Sequence, residues 1–314
     1  MSGPAPKVVD RRVAALRRFA FSITLFTIAG AFLLGFEDAW AQPLVALATC
    51  YALELLLETV DAWCARRPRR FAGGPRAVFE FLLPAHISAL SIALLLYPSA
   101  RMMPIVFASA VATCSKFVFQ APVGGRRRHF LNPSNFGIAV TLLAFPWVGI
   151  SPPYQFTEGV SGIWLSGVLG WVVPIAVLGS GTALNAMLTG KWPLILGWTG
   201  GFALQALLRS AVFGTPVIAP LLPMTGLVFV LYTNYMITDP GTTPFVKRNQ
   251  ILFGLATAAL YGVLVSLHVV FGLFFALVLV CIARGIGLYA LAAWEARARH
   301  AIERAPADVE VAGL

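Results

Sequence analysis

Apolar runs separated by short basic or turn-forming stretches recur from Phe19 to Ala293. A hydrocarbon core of about 30 Å takes about 20 helical residues at about 1.5 Å each. On that measure the pattern predicts ten transmembrane helices, near residues 19–36, 42–62, 79–98, 102–119, 135–150, 161–183, 193–213, 216–236, 250–269 and 271–294. The expected fold class is all-α: a polytopic membrane bundle over residues 19–294, with a basic tail at 1–18 and a mobile tail at 295–314. Ten spans divide into two halves of five, and an odd half inverts the next, so the pattern permits an inverted repeat.

Composition agrees with this pattern: 59% of the 314 residues are hydrophobic and 11% charged, against roughly 25% charged in soluble domains. The chain's solvent is expected to be a lipid bilayer, with other membrane or redox subunits as partners. The net charge of +10 does not point to nucleic acid, because the basic residues sit between apolar runs rather than on one polar surface. When alternate loops are placed inside, all but two of the 23 basic residues, Arg101 and Arg209, fall on the inner side. The expected location is the cell membrane, multi-pass, with both termini cytoplasmic. Ala39-Trp40-Ala41 has the form of a signal-peptidase site, but an apolar run of about 17 residues exceeds the usual signal segment, so a tight turn is the reading adopted. Cys50, Cys64, Cys114 and Cys281 form no C-x-x-C pair, which gives no support for a disulfide framework or an iron–sulfur cluster.

Two stretches carry candidate chemistry. In KFVFQAPVGGRRRHFLNPSNFGIAVTLL, Asn132, Pro133, Ser134 and Asn135 stand at a helix entrance, where free N–H groups and a positive dipole are available. Asn132 and Asn135 are three residues apart and can meet on one face as donors and acceptors for a polar ring; equally, one Asn can be the cap, with Pro in the first turn. In LYTNYMITDPGTTPFVKRNQILFGL, Thr238-Asp239-Pro240-Gly241 is turn chemistry. There Asp239 can anchor a ligand hydroxyl, or simply organise a turn.

Together these stretches resemble the NqrB/RnfD family, the flavin-carrying membrane subunits of sodium-translocating NADH:quinone reductase and of the Rnf electron-transport complex. HFLNPSNFGIAVTLLAFP is similar to the family's FNPA helix, and MITDPGTTP with ILFGL to its MATDPVT and LFGA segment. LYGVLVSLHVVFGLFFALVLVCIARG also looks like the smaller UnbU-type branch associated with enediyne biosynthesis clusters. The resemblance implies ten helices and a flavin site at Asn132, Asn135, Thr238, Asp239 and Thr242. One departure changes the expected cofactor. Larger members hold FMN on the Thr of an S-G-A-T motif, whereas the comparable stretch here is Ser161-Gly162-Ile163-Trp164, with no hydroxyl at the acceptor position. The resemblance therefore implies FMN or riboflavin held non-covalently.

Glu54, Glu58 and Asp61 share one face of the second predicted helix; acids in a membrane helix are costly and usually face the bundle interior. Glu54 and Glu58 are candidates for an ion path, but Arg66, Arg67, Arg69, Arg70 and Lys116 at the same level offer ion pairing instead. His86 and His268 lie at depths about 16 Å apart, too far to share one haem. Gly190-Lys191 is followed by Trp192, so it is not a phosphate loop, and no dinucleotide fingerprint occurs. The chain is thus expected to be at most a subunit of a membrane oxidoreductase: an RnfD/NqrB-like electron carrier without a covalent flavin. The alternatives are a ten-helix transporter or channel for a small solute or ion, or an export or assembly factor of a biosynthetic pathway.

Overall fold

Prolines and glycines set many of the helix ends. The computed structural model describes residues 11–303 except 33–35, 37, 100, 152–178, 180 and 184. Helix α1 spans Arg11–Phe32 and α2 Ala41–Cys64. Helix α3, Pro75–Leu95, starts with Pro at its first position and runs into strand β1, Leu96–Tyr97. Helix α4, Met103–Val118, likewise has Pro in its first turn. Strands β2, Gln120–Val123, and β3, Arg126–His129, pair antiparallel. Gly124 and Gly125 join them, both at positive φ, as a two-residue hairpin turn requires.

Helix α5 is Pro133–Ala144 and ends at Phe145, the residue before Pro146, where helical backbone is disfavoured. The chain then forms strand β4, Gly149–Ile150, which pairs with β1. A π turn, Asn185–Thr189, leads to α6, Trp192–Phe213. After a 3-10 turn, Ala219–Thr225, helix α7, Leu227–Leu231, continues as a second π turn, Tyr232–Met236. Helices α8, Lys247–Ser266, and α9, Gly272–Glu303, complete the bundle.

The chain is mostly helical and membrane-like, but the described residues do not give ten spans. Five helices are long and apolar enough to cross a bilayer: α1 from Val13 to Phe32, α2, α3, α8, and α9 from Gly272 to Arg299. Helices α4 and α5 are apolar but shorter. Helix α6 has the length and exposes apolar side chains but is not among the five, its apolar run being interrupted by Gln205 and Arg209, and the run at 216–236 is broken by Pro216, Pro220 and Pro223. The predicted segment at 161–183 lies almost wholly outside the described residues. Helix α1 begins at Arg11, inside the expected basic tail, and α9 runs to Glu303, past the expected end of the last span.

Large apolar side chains such as Phe21, Phe32, Trp63, Leu196, Val212 and Ile286 are exposed on the helices, as a lipid-facing surface needs. Inside, Trp198, Phe202, Phe229, Tyr232 and Tyr261 form one aromatic cluster, and the indole N–H of Trp198 donates to Thr233 Oγ1 at 2.9 Å. Helices α6 and α8 approach closely because neither carries a Cβ at the crossing. A Cβ on Gly254 would stand 2.6 Å from the Trp198 nitrogen, and one on Gly197 2.6 Å from the Ile251 carbonyl oxygen.

Candidate functional site

The two motifs meet. Asn132 caps α5: its Oδ1 accepts from the Asn135 N–H at 2.9 Å and from the Ser134 hydroxyl at 3.0 Å. The same side chain donates through Nδ2 to the carbonyl of Met236, 3.0 Å away at the end of the second π turn. Both functional groups of this buried amide are thereby engaged, and the entrance of α5 is fixed to the start of the TDPG loop.

Asp239 organises that loop from within. Its Oδ1 accepts from the Gly241 N–H at 3.0 Å, its Oδ2 from the Thr242 hydroxyl at 3.0 Å, and its main-chain oxygen from the Thr243 hydroxyl at 2.6 Å. Thr238 donates through its hydroxyl to Asn234 O, at 2.7 Å. Of the five residues implied as a cofactor wall, Asn132, Thr238, Asp239 and Thr242 thus spend their side chains on the protein itself.

Asn135 is different. Its Nδ2 donates to Phe274 O at 3.0 Å, but its Oδ1 is buried and has no hydrogen-bond partner among the described residues. The hydroxyl of Tyr232, fully buried in the second π turn, is also without one. Both residues adjoin Phe274, Asn135 by donating to the Phe274 carbonyl and Tyr232 by an edge-on ring contact at 6.2 Å. An unmet buried acceptor and hydroxyl each cost free energy unless a further partner meets them.

Sequence reasoning did not single out several residues that shape this region. The two π turns face one another: Asn185 Nδ2 donates to Asn234 O at 2.9 Å and to Gly181 O at 3.0 Å. Such turns commonly accompany functional sites, but they have no sequence signature short of the buried Asn itself. Lys191, 2% exposed, donates to Pro244 O at 2.7 Å, and Arg284 of α9 donates to Thr242 O at 2.9 Å. Their acceptors are backbone carbonyls, which any sequence supplies.

The ion-path candidates all have cationic partners. Glu54 of α2 pairs with Lys116 of α4 at 2.5 Å, and both side chains are about nine-tenths buried. Glu58 is fully buried and accepts from Arg67 and Arg70, including the Arg70 main-chain N–H at 2.8 Å, while Asp61 pairs with Arg67. His86 binds the Tyr51 hydroxyl through Nδ1 at 2.6 Å and the Thr24 hydroxyl through Nε2 at 2.7 Å, so both ring nitrogens are engaged. Among the described residues no three His, Cys, Asp or Glu side chains are grouped to hold a metal ion. A shallow hollow lined by Thr27, Phe36, Asp38, Trp40 and Leu94 lies between the α1–α2 connection and α3, and none of the motif residues reaches it. Ser161 and Trp164 lie outside the described residues. Comparison of the whole chain with known protein families and with curated proteins finds no match.

Proposed function

We propose that the chain is the membrane subunit of a flavin-dependent electron transport complex, holding FMN or riboflavin non-covalently. It sits in the cell membrane with both termini cytoplasmic, and it works with other redox subunits, because no dinucleotide-binding motif occurs in its own sequence. The reading rests on two supports: the resemblance of the HFLNPSN and MITDPGTTP stretches to the NqrB/RnfD family, and the physical junction of those stretches through Asn132 and Met236. The observation that carries it is the pair of unmet buried groups, Asn135 Oδ1 and the Tyr232 hydroxyl. A flavin ring system offers an imide N–H for the amide oxygen and carbonyls for the hydroxyl. When bound, it supplies one- or two-electron transfer that no side chain here provides. Asn132 and Asp239 are positioning residues in this account, fixing the backbone on which Asn135 and Thr242 stand.

The reading is tested by the flavin content of Asn135→Ala and Tyr232→Phe proteins. Each is expected to lose flavin while keeping its helicity and membrane insertion; unchanged flavin content in both would contradict the assignment.

A second reading, a transporter or channel on the same scaffold, is favoured by the buried Glu54–Lys116 pair, since ion pairs within membrane helices often mark ion or proton pathways.

A further inference from the structure

The loop from Asp239 to Phe245 is surrounded by cations drawn from three separate elements. Lys191, just before α6, reaches the Pro244 carbonyl, and Arg284 from α9 reaches the Thr242 carbonyl. Arg128 from β3 lies over the Phe245 ring, 5.7 Å from its centre, and Lys191 Nζ lies 5.3 Å from the same centre. Among the described residues, none of these three cations has a carboxylate within ion-pairing distance. Asp239 is the acid in electrostatic reach of Lys191, but its two oxygens are already occupied by Gly241 and Thr242. Lys247 and Arg248, exposed at the start of α8, add further positive charge beside the loop, and His129 stands against Gly241.

This arrangement is costly unless something neutralises it. Lys191, 2% exposed, and the partly buried Arg284 guanidinium each satisfy one donor on a carbonyl, leaving further N–H groups, and with Arg128 they outnumber Asp239 three to one in charge. Among the described residues, two other buried charges are paired: Glu54 meets Lys116, and Glu58 meets Arg67 and Arg70. The exposed ring of Phe245, with a cation on Arg128 and another on Lys191, adds an apolar platform next to the charge.

We infer that Arg128, Lys191 and Arg284, gathered around the Asp239–Phe245 loop, form a binding site for a phosphoryl group. The chemistry is that of a phosphate ester, carried either on a soluble ligand or on a lipid headgroup. The inference goes beyond the flavin reading and does not need it.

The test uses the full chain, purified in neutral detergent and stripped of lipid, with the thermal unfolding midpoint as readout. One arm titrates inorganic phosphate against chloride at matched ionic strength; the other compares nanodiscs of phosphatidylcholine with nanodiscs containing phosphatidylglycerol. A saturable rise of the midpoint in the first arm assigns a soluble ester, and one confined to the second assigns a headgroup. Arg284→Gln is expected to raise the half-protecting concentration by about tenfold, the loss expected for one charge-assisted contact. Arg128→Gln provides the safer variant, because Arg128 is exposed and forms no side-chain hydrogen bond among the described residues; a rise of about threefold or more is expected there, less because its charge is screened. No difference from chloride together with no preference for phosphatidylglycerol would overturn the inference. So would protection that is the same in wild type and in both variants.

Discussion

Asn132 and Met236 are 104 residues apart in sequence and joined by a single side-chain amide, which caps α5 with its oxygen and holds the Met236 carbonyl with its nitrogen. The cap and the tether can be separated. Asn132→Ser retains a good capping oxygen and loses the tether, leaving a buried carbonyl without its donor, for an expected cost of about 1–2 kcal/mol. Asn132→Ala loses both, for about 2–4 kcal/mol. Unfolding midpoints in detergent check the order wild type, Ser, Ala; equal stability of the two variants would remove the cap from the account.

The Glu54–Lys116 pair between α2 and α4 gives a second test, because removing one member leaves the other charge buried alone. Lys116→Met is expected to destabilise by about 3–5 kcal/mol, whereas Glu54→Leu combined with Lys116→Met costs less than that single change. A double-mutant cycle measures the difference. Additive losses would show that the two charges do not interact across the interface.

Lys191 carries a pH prediction. Burial pushes its ammonium down to about 8, from an ordinary 10.5. Below about pH 8 the lysine is protonated in both folded and unfolded chains, so its contribution does not change with pH. Between about 8 and 10.5 the unfolded chain still holds the proton that the folded chain has released, so this residue makes stability rise with pH. The difference in midpoint between wild type and Lys191→Met, followed from about pH 7 to about pH 10.5, is expected to shift in favour of wild type across that window. A flat difference would mean that Lys191 is solvated.

What the sequence makes legible here is local. Apolar runs locate α1, α2, α3, α8 and α9, Asn132-Pro133 marks a helix start, and Thr238-Asp239-Pro240-Gly241 marks a turn. Gly124-Gly125 is a hairpin signal in plain view, yet the basic run beside it reads only as a loop between spans. Hydropathy overstates the spans where a run is interrupted without becoming polar: Pro216, Pro220 and Pro223 leave the window apolar while stopping the helix, and Pro146 cuts α5 short. The least legible features are those whose acceptor is the backbone. Lys191 and Arg284 read as two more basic residues of the chain until their carbonyl partners at Pro244 and Thr242 are known. Asn135 and Tyr232 gain their interest from what they fail to bond, which only packing reveals.

The central claim, that this bundle holds a flavin without a covalent link, is tested most directly by the visible absorption of the full chain. The protein should be purified in mild detergent from cells able to supply FMN and riboflavin. The account predicts an absorbance band near ~450 nm that bleaches on chemical reduction, since side chains do not absorb there and a redox role needs such a cofactor. It also predicts that the flavin is released on denaturation, because the NqrB/RnfD resemblance on which the proposal rests aligns Trp164 with the acceptor threonine. Folded protein with no visible band, even after incubation with added FMN and riboflavin, would contradict the account and leave the transporter as the better reading.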